Sequence, residues 1–453
     1  MKTNREQNQA VKLFQDIAQR LAARLPRKTM PFFLAMMFGA LLAVAIRRTV
    51  TKWLMAAQIS DSYQLAFYHM PHIGRKGSAL LDENLRIILE QLGDVIETAQ
   101  SIRLVLDDSP TKRYGYKIEG AGYHHNPTPG RTKAKICFGH SWVVVVLVIA
   151  HPLFGEISFP IAAELYLRQK EIDKLKSKYG REFQPKTVMA VKIVKRLVPQ
   201  FARFGKRIEI IVDAGYANET VLLPLIELDN VAVITRFRKD SAFFEIPVQP
   251  EKRGRGRPKV YGNRIDTKSM IESDGDWELV ECRQYGQDVV KKVKCFIATS
   301  KLTRGKPIKV VLIKEDDGAW LPLVSTDTSL DAKAILESYG VRFGIEEVFK
   351  DLKDVWGWGK QELRLLESNE AATAMNMLLF SMTELSTWDR SAAELVDRSN
   401  RPWDDPLRRP SHADRRNYLR RGILANELNE AVDLASMPPK IISLLKKLLQ
   451  LAA

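Results

Sequence analysis

The sequence predicts a mixed α/β fold: a helical N-terminal region, an α/β core interrupted by a β-rich insertion, and a helical C-terminal tail. Three observations lead to this prediction. Apolar side chains recur at helical spacing through residues 1–100, as in NREQNQAVKLFQDIAQRLAARL. Apolar runs of strand length follow, in SIRLVLDDSP, SWVVVVLVIAH and RIEIIVDAG, with helical stretches expected at about 160–178 and 185–201. From about 219 to 325 the chain is β-rich, and helical spacing then returns.

The order of these segments divides the chain into five regions. The insertion splits the core into two parts, and the second part begins with the run ESYGVRFGIEEVFKDLK and continues with a helix at about 367–388. The predicted boundaries are 1–100 for the N-terminal domain, 101–218 and 326–390 for the two parts of the core, 219–325 for the insertion, and 391–453 for the basic tail with its helices.

Residues 30–46, MPFFLAMMFGALLAVAI, raise the alternative of a membrane anchor because they carry no charge. Their length is at the short limit for a helix that spans a bilayer. A central helix of an all-helical domain needs the same composition, and the basic residues on both sides indicate no orientation. We therefore expect this helix to be buried in the protein, with no membrane partner.

The charge of the chain favours a polyanionic partner. Lysine and arginine number 70 against 54 aspartates and glutamates, so the formal charge is +16. A protein this basic attracts nucleic acid, although charge predicts nothing about fold. Cys137, Cys282 and Cys295 show no CxxC spacing, so we expect a reduced cytoplasmic compartment and no structural zinc site.

Two further segments resemble DNA-binding elements. The basic loop EKRGRGRPKVYGNR (251–264) contains RGRP, which is similar to the minor-groove-binding AT-hook. A solvated hairpin loop accounts for the same composition, and we favour that interpretation. Residues 47–70 predict two short helices joined near residues 59–61, the arrangement of a helix-turn-helix.

The run ESYGVRFGIEEVFKDLK (337–353) has one polar and one apolar face when it is read as a single helix. Successive side chains of a helix lie about 100° apart, which places five polar residues within an arc of about 80°. A solvated surface helix with spaced ion pairs has the same pattern. Glu347 belongs to neither face. The polar arc contains Tyr339, Arg342, Glu346, Lys350 and Lys353, and the apolar face contains Val341, Ile345, Val348 and Leu352.

Acidic residues at the ends of two predicted strands and on this helix indicate a metal-dependent site. The strands end at Asp107–Asp108 and at Asp213. Carboxylates from separate elements can converge on hard divalent cations. Two such ions activate an attacking water or hydroxyl and stabilise a leaving oxygen in phosphoryl transfer. The cations that share a face with Glu346 are suited to a nucleic acid backbone.

The spacing Tyr339-x2-Arg342-x3-Glu346-x6-Lys353 resembles the Y-R-E-K signature of bacterial insertion-sequence transposases, members of the DDE superfamily with a ribonuclease-H-like core. The segments LVLDDSPTKRYG (104–115) and IIVDAGYAN (210–218) are similar to those that carry the family's two catalytic aspartates. The resemblance covers about 102–366. Ser109 stands where the family usually has threonine, and Phe343 where it has tryptophan.

The resemblance implies a catalytic triad and a metal cofactor. The three metal ligands are Asp108, Asp213 and Glu346, with Asp107 left open as the alternative to Asp108, and they hold two Mg²⁺ ions, with Mn²⁺ as a substitute. DNA contacts are implied for Tyr339, Arg342 and Lys353, to which the polar face adds Lys350, and Trp320 is implied to stack on a flipped base.

The resemblance also implies how the protein works. It cuts double-stranded DNA at the ends of its own insertion sequence through a hairpin, and joins the 3′-hydroxyl ends to target DNA. Domain 1–100 binds the element ends, and the protein acts as a homodimer in the bacterial cytoplasm, at the nucleoid.

Two alternatives keep DNA as the partner. One is a structure-directed nuclease without strand transfer, and the other is a DNA-binding regulator that has lost catalysis.

His124 and His125 do not indicate a metal site, because neighbours in an extended segment point to opposite faces and no Cys/His set surrounds them.

Overall fold

The N-terminal region of the computed structural model is helical, as predicted. The structure describes residues 2–43, 48–125, 134–248, 258–315, 317–399, 401–431 and 440. Helices α3 and α4 fall where a helix-turn-helix was predicted. The first helices are α1 (Lys2–Ala22), α2 (Met30–Leu42), α3 (Val50–Ala56), α4 (Tyr63–Arg75), α5 (Gly77–Gln91) and α6 (Gly93–Thr98).

Helix α2 is the apolar segment for which a membrane anchor was the alternative. Phe33, Met36 and Leu41 on this helix have no exposed surface, because they pack into the core that the N-terminal helices share with the rest of the chain. Over the described part of the chain, no helix is both long and apolar enough to cross a membrane.

A single mixed sheet runs through the middle of the molecule and confirms the predicted α/β class. Its first part has the strand order β4-β3-β1-β5-β6, in which β3 is antiparallel to β4 and β1, whereas β5 and β6 are parallel to β1. Helices α7 to α9 connect the later strands. The elements are β1 (Ile102–Lys112), β2 (Gly122–His125), β3 (Ile136–His151), β4 (Gly155–Tyr166), α7 (Gln169–Tyr179), α8 (Lys186–Leu197), β5 (Ile208–Val212), α9 (Glu219–Ile226) and β6 (Val231–Arg236).

The prediction of a helix over 160–178 is wrong for its first part. Residues 155–166 form β4 and pair with β3, and the helix begins only at Gln169. Pro160 is tolerated in this strand because β4 pairs on one side only within the described residues, next to an irregularity of register between Val145 and Val146.

The β-rich segment extends this same sheet. Strand β12 pairs with β6, and the antiparallel order continues through β11 and β10, which also pairs with β9 and β7. The RGRP motif lies for the most part outside the described residues. The elements are β7 (Phe243–Phe244), β8 (Arg264–Ile265), α10 (Thr267–Glu272), β9 (Glu278–Gln284), β10 (Gln287–Ser300), β11 (Pro307–Lys314) and β12 (Trp320–Ser325).

The run 337–353 forms two helices, so its prediction as one continuous helix is wrong. The chain turns at residues 341–342, between a helix that packs on β9 and a helix that packs on β4. The next helix is buried along its whole length and contacts α4, α5 and β4. The final helices are α11 (Ala332–Gly340), α12 (Phe343–Asp354), α13 (Leu366–Ser386), α14 (Ala392–Leu395) and α15 (His412–Ala431). Apart from Lys440, the part of the predicted basic tail after residue 431 lies outside the described residues.

Candidate active site

The register between β1 and β5 brings Asp107 and Asp213 together. The two strands are parallel and Leu106 pairs with Val212, so the next residue along each chain is an aspartate. Laterally paired residues of a sheet point to the same face. The two carboxylates therefore lie side by side. Asp213 follows the end of β5, but β1 continues past Asp107 to Lys112, so the prediction that this strand ends at Asp107–Asp108 is wrong.

Helix α12 covers that face of the sheet. Lys353 Nζ donates a hydrogen bond of 2.8 Å to Ser109 Oγ, and Ser109 shares a face with Asp107 because the two are two residues apart on β1. Nearby, Gly344 of α12 approaches β4 so closely that a Cβ at this position would lie 2.3 Å from Ser158 Oγ. The glycine allows the helix to lie directly on the sheet beside the acids.

Arg342 connects the third acid to this pair. It immediately precedes α12, and its Nη2 donates to Glu346 Oε1 at 2.8 Å. Its Nη1 lies 3.6 Å from Asp107 Oδ2. One guanidinium therefore faces a carboxylate from a strand and a carboxylate from a helix.

The pKa of Asp107 is raised to about 7, first by burial and then by the negative charge of Asp213. Asp213 is fixed by its own loop, since its Oδ1 accepts hydrogen bonds from the backbone N–H groups of Gly215 at 2.9 Å and Tyr216 at 3.3 Å. Two neighbouring carboxylates that are partly removed from water repel each other. The arrangement favours a bound cation.

Asp108 points to the opposite face of β1 and has other partners. Its Oδ2 accepts a hydrogen bond from Lys186 Nζ at 2.5 Å, and its Oδ1 accepts one from the Tyr216 hydroxyl at 3.3 Å. Ser141 Oγ on β3 also donates to Oδ2, at 3.5 Å. This carboxylate therefore holds a lysine and a tyrosine at the rim of the site.

These residues surround an open cleft of about 1080 Å³. It brings together seven of the eight predicted site residues, while Trp320 is not in its lining. Trp320 is partly buried at the start of β12, with Lys239 Nζ 5.7 Å from the centre of its ring. The predicted residues that line the cleft are Asp108, Asp213, Tyr339, Arg342, Glu346, Lys350 and Lys353.

Sequence reasoning missed several cations of the cleft. Arg168, Lys186 and Arg236 also line it. Arg236 ends β6, the strand next to β5, so its position followed from the rule that sites collect where parallel strands end. Arg168 and Lys186 belong to no motif, and only the packing of α7 and α8 places them here.

The two histidines lie at the cleft but do not form a metal centre. His124 is buried, which lowers its pKa to about 4, and its Nε2 has no partner among the residues that the structure describes. His125 is exposed and also lines the cleft. With the side chains placed as they are, no three histidines, cysteines or acids of the described residues are grouped closely enough to hold a metal ion.

Comparison with known proteins identifies a family. The model of the DDE superfamily endonuclease family matches residues 20–299, which is more than half of the chain. Among solved structures, the chain is similar to a piggyBac transposase, determined by cryo-electron microscopy in a synaptic complex with hairpin DNA. That similarity has a TM-score of 0.37 at 8% identity and covers 96% of this chain and 75% of the other, too low for any property to be transferred. No curated protein matches the chain.

Proposed function

Since the chain belongs to the DDE superfamily endonuclease family, we propose that it is a DNA transposase that cleaves the ends of its own insertion sequence and joins them to target DNA. The observation that carries this proposal is the pairing of Asp107 with Asp213 on the face that α12 covers, with Glu346 linked to Asp107 through Arg342. Strand transfer and the bacterial insertion-sequence subgroup are supported by the Y-R-E-K spacing.

The strands β4-β3-β1-β5-β6 form the ribonuclease-H-like core of this proposal. The order and directions of the strands support it: β4, β3 and β1 alternate in direction, and β5 and β6 run parallel to β1. The segment 219–325 is the insertion that separates β5 from α12, and residues 1–100 form the domain that binds the element ends. The proposed core carries all three acids: Asp107 on β1, Asp213 directly after β5, and Glu346 on α12.

Asp107 and Asp213 fit a divalent cation, the kind of cofactor that DDE superfamily enzymes use, and Glu346 would have to leave Arg342 to join them, because no three such groups of the described residues lie close enough as placed. Asp107 and Asp213 present two carboxylates on one face. Burial, and then the negative charge of Asp213, raise the pKa of Asp107, and a bound cation would relieve the repulsion between the two carboxylates. We assign Asp107, Asp213 and Glu346 as the residues that would hold two Mg²⁺ ions, or Mn²⁺ as a substitute. Ions bound there would supply Lewis acid chemistry and an activated water or 3′-hydroxyl for phosphoryl transfer.

Asp107 replaces Asp108 in this assignment. Both follow from the sequence motif, but Asp107 shares a face with Asp213 and α12, whereas Asp108 pairs with Lys186 on the opposite face. Asp108 then acts as a positioning residue, because it holds the Lys186 ammonium and the Tyr216 hydroxyl beside the cleft.

The cations of the cleft bind the DNA backbone in this proposal. Lys350 is exposed, and Arg342 and Tyr339 line the same cleft. Arg342 is bound to Glu346 in the free protein, so a DNA phosphate that attracts its guanidinium would free the carboxylate. Lys353 is anchored on Ser109 and reaches the cleft from beside the acids. Hairpin formation, a stacking role for Trp320 and a homodimer remain proposals that rest on the motif.

A cleavage assay with matched variants tests the function. The substrate is a labelled duplex that carries the end of the element encoding the protein, incubated with and without Mg²⁺. Glu346→Gln keeps the shape of the side chain and removes its charge, and Glu347→Gln makes the same change at an exposed neighbour outside the cleft lining. We expect Mg²⁺-dependent nicking at the element boundary, reduced more than about a hundredfold by Glu346→Gln and unchanged by Glu347→Gln.

The products distinguish the two enzymatic proposals. Addition of an unlabelled target plasmid gives joined products if the protein is a transposase, and only nicked ends if it is a structure-directed nuclease. Equal nicking by wild type and Glu346→Gln would overturn the assignment of the site, and binding without nicking by wild type would point to a catalytically silent regulator.

A further inference from the structure

An exposed aromatic surface lies next to the acidic cleft and has no role in the site described so far. It is formed by Tyr116 and Tyr123, whose exposed fractions are 84% and 54%, and Tyr114, two residues before Tyr116, is 90% exposed. Exposed large aromatics are costly in water, so a cluster of them marks a contact surface. Tyr123 also lines the cleft, which makes the two surfaces continuous.

Two of these tyrosines pack around Phe138 on β3. Tyr123 pairs with Phe138 across the β2–β3 ladder at a ring distance of 5.2 Å, and Tyr116 lies 5.6 Å from the same ring. Each ring makes an edge or tilted contact, which leaves surface of the tyrosines in solvent.

The segment that carries the tyrosines is anchored at its base. Arg113 is buried directly before Tyr114, and it donates to the backbone carbonyl of Gly359 and to Asn369 Oδ1 at 2.7 Å. At the other end of the segment, Tyr123 belongs to β2 and its carbonyl accepts a hydrogen bond from Arg168 at 2.7 Å. The aromatic surface is therefore held in place relative to the cleft.

The surroundings of this surface are positively charged. Lys112 and Lys117 flank Tyr114 and Tyr116 and are exposed. Lys353, which lines the cleft, is close enough to Lys112 for the two like charges to interact. An aromatic surface with lysines around it matches a polyanion whose flat groups can stack.

We propose that the aromatic surface of Tyr116 and Tyr123 is a stacking platform for unpaired DNA bases beside the cut. The inference rests on the proposed function and adds a second part to the substrate, a stretch of separated strand next to the duplex end. Aromatic side chains bind bases of any sequence through their faces, while lysines hold the backbone. The surrounding positive charge favours this occupant over a second copy of a chain that itself carries +16.

Binding of single-stranded DNA tests the platform separately from cleavage. The probes are a short single-stranded oligonucleotide that contains 2-aminopurine and a duplex of the same length, each titrated in EDTA. Tyr116→Ala/Tyr123→Ala removes two rings, Tyr116→Phe/Tyr123→Phe keeps both, and Trp403→Ala removes an aromatic ring of 81% exposure between α14 and α15. Because all the altered residues are exposed, we expect each variant to fold, which thermal unfolding verifies.

We expect the double alanine variant to bind the single strand at least about fivefold more weakly for each ring removed, and to lose the quenching of 2-aminopurine. Duplex affinity should change less than about twofold, and the phenylalanine and Trp403 variants should match wild type. An equal loss of duplex and single-strand affinity, or a change of oligomeric state with unaltered DNA binding, would overturn the platform. If single-strand binding depends on the tyrosines but the protein never nicks its element end, the platform is supported and the proposed transposase function is contradicted.

Discussion

At the scale of single residues, strand geometry separates two aspartates that the sequence presents as equals. Asp107 and Asp108 are adjacent on β1, so their side chains point to opposite faces. One of them meets Asp213 and, through Arg342, Glu346, whereas the other meets Lys186 and Tyr216. The motif identifies the pair, and only the register of β1 with β5 distinguishes its members.

Asp107→Asn and Asp108→Asn should therefore differ in activity. Substitution of groups that orient metal ligands typically costs about ten- to a hundredfold in metal affinity or activity, so removal of a ligand should cost more. We expect Asp107→Asn to lower Mg²⁺-dependent nicking more than about a hundredfold and Asp108→Asn to lower it less. Single-turnover nicking rates measure both, and a larger loss for Asp108→Asn would restore Asp108 as the ligand.

Asp107 should also make stability depend on pH when no metal is present. Its pKa is about 7 in the folded chain against an ordinary value of 3.8, so the folded state holds the proton more tightly. The stabilisation is complete below about pH 4 and is lost as the pH rises through 7, by up to about 4 kcal/mol. Asp107→Asn, which cannot ionise, should therefore be more stable than wild type at pH 8 and similar to it at pH 4.

Thermal unfolding in EDTA at several pH values measures this difference. Other groups titrate in both proteins, so the difference between the two unfolding curves isolates Asp107. A difference that does not vary between pH 4 and pH 8 would contradict the raised pKa.

At the scale of elements, two segments that the local sequence pattern predicts as helix differ in the structure, because tertiary packing determines their conformation. Residues 160–166 were predicted as the start of a helix but pair with β3, because strand pairing overrides weak local propensity. The run 337–353 is interrupted at 341–342, where Gly340 and Gly344 weaken the helix and its two halves pack on different strands. The polar arc survives the break, since all five of its residues still line the cleft.

The contact of α4 with α13 should depend on Gly74. A Cβ at this position would lie 1.8 Å from the backbone carbonyl oxygen of Glu367, and backbone cannot move without shifting α13. We expect Gly74→Ala to lower the free energy of unfolding by about 1–3 kcal/mol or more. Gly77→Ala is the matched control, because its nearest contact would be an ordinary 3.6 Å. Denaturant unfolding compares the two, and equal stabilities would show that the helices are not closely packed there.

At the scale of the whole molecule, the net charge of +16 should govern how DNA binding responds to salt. Each phosphate neutralised by the protein contributes about 0.9 to the slope of log affinity against log salt concentration for duplex DNA. Lys350 is exposed in the cleft, so we expect Lys350→Ala to lower this slope by about 0.9.

Lys268→Ala provides the control for that measurement. Lys268 is 84% exposed on α10 and is outside the cleft lining. Fluorescence anisotropy with a duplex at several salt concentrations gives the slopes. Equal slopes for wild type and Lys350→Ala would show that Lys350 does not contact a DNA phosphate.

The sequence by itself determined the α/β class, the basic charge and the residue types of the site, because these follow from apolar periodicity and from motif spacing along the chain. The spacing from Tyr339 to Lys353 also identified residues that meet in one cleft, since local helix geometry largely sets their directions. Only the tertiary structure places Asp107 beside Asp213 and Asp108 beside Lys186, adds Arg168 and Lys186 to the cleft, and brings Tyr123 to its lining. Those features depend on strand register and on packing between segments distant in the chain, and neither of these leaves a local pattern in the sequence.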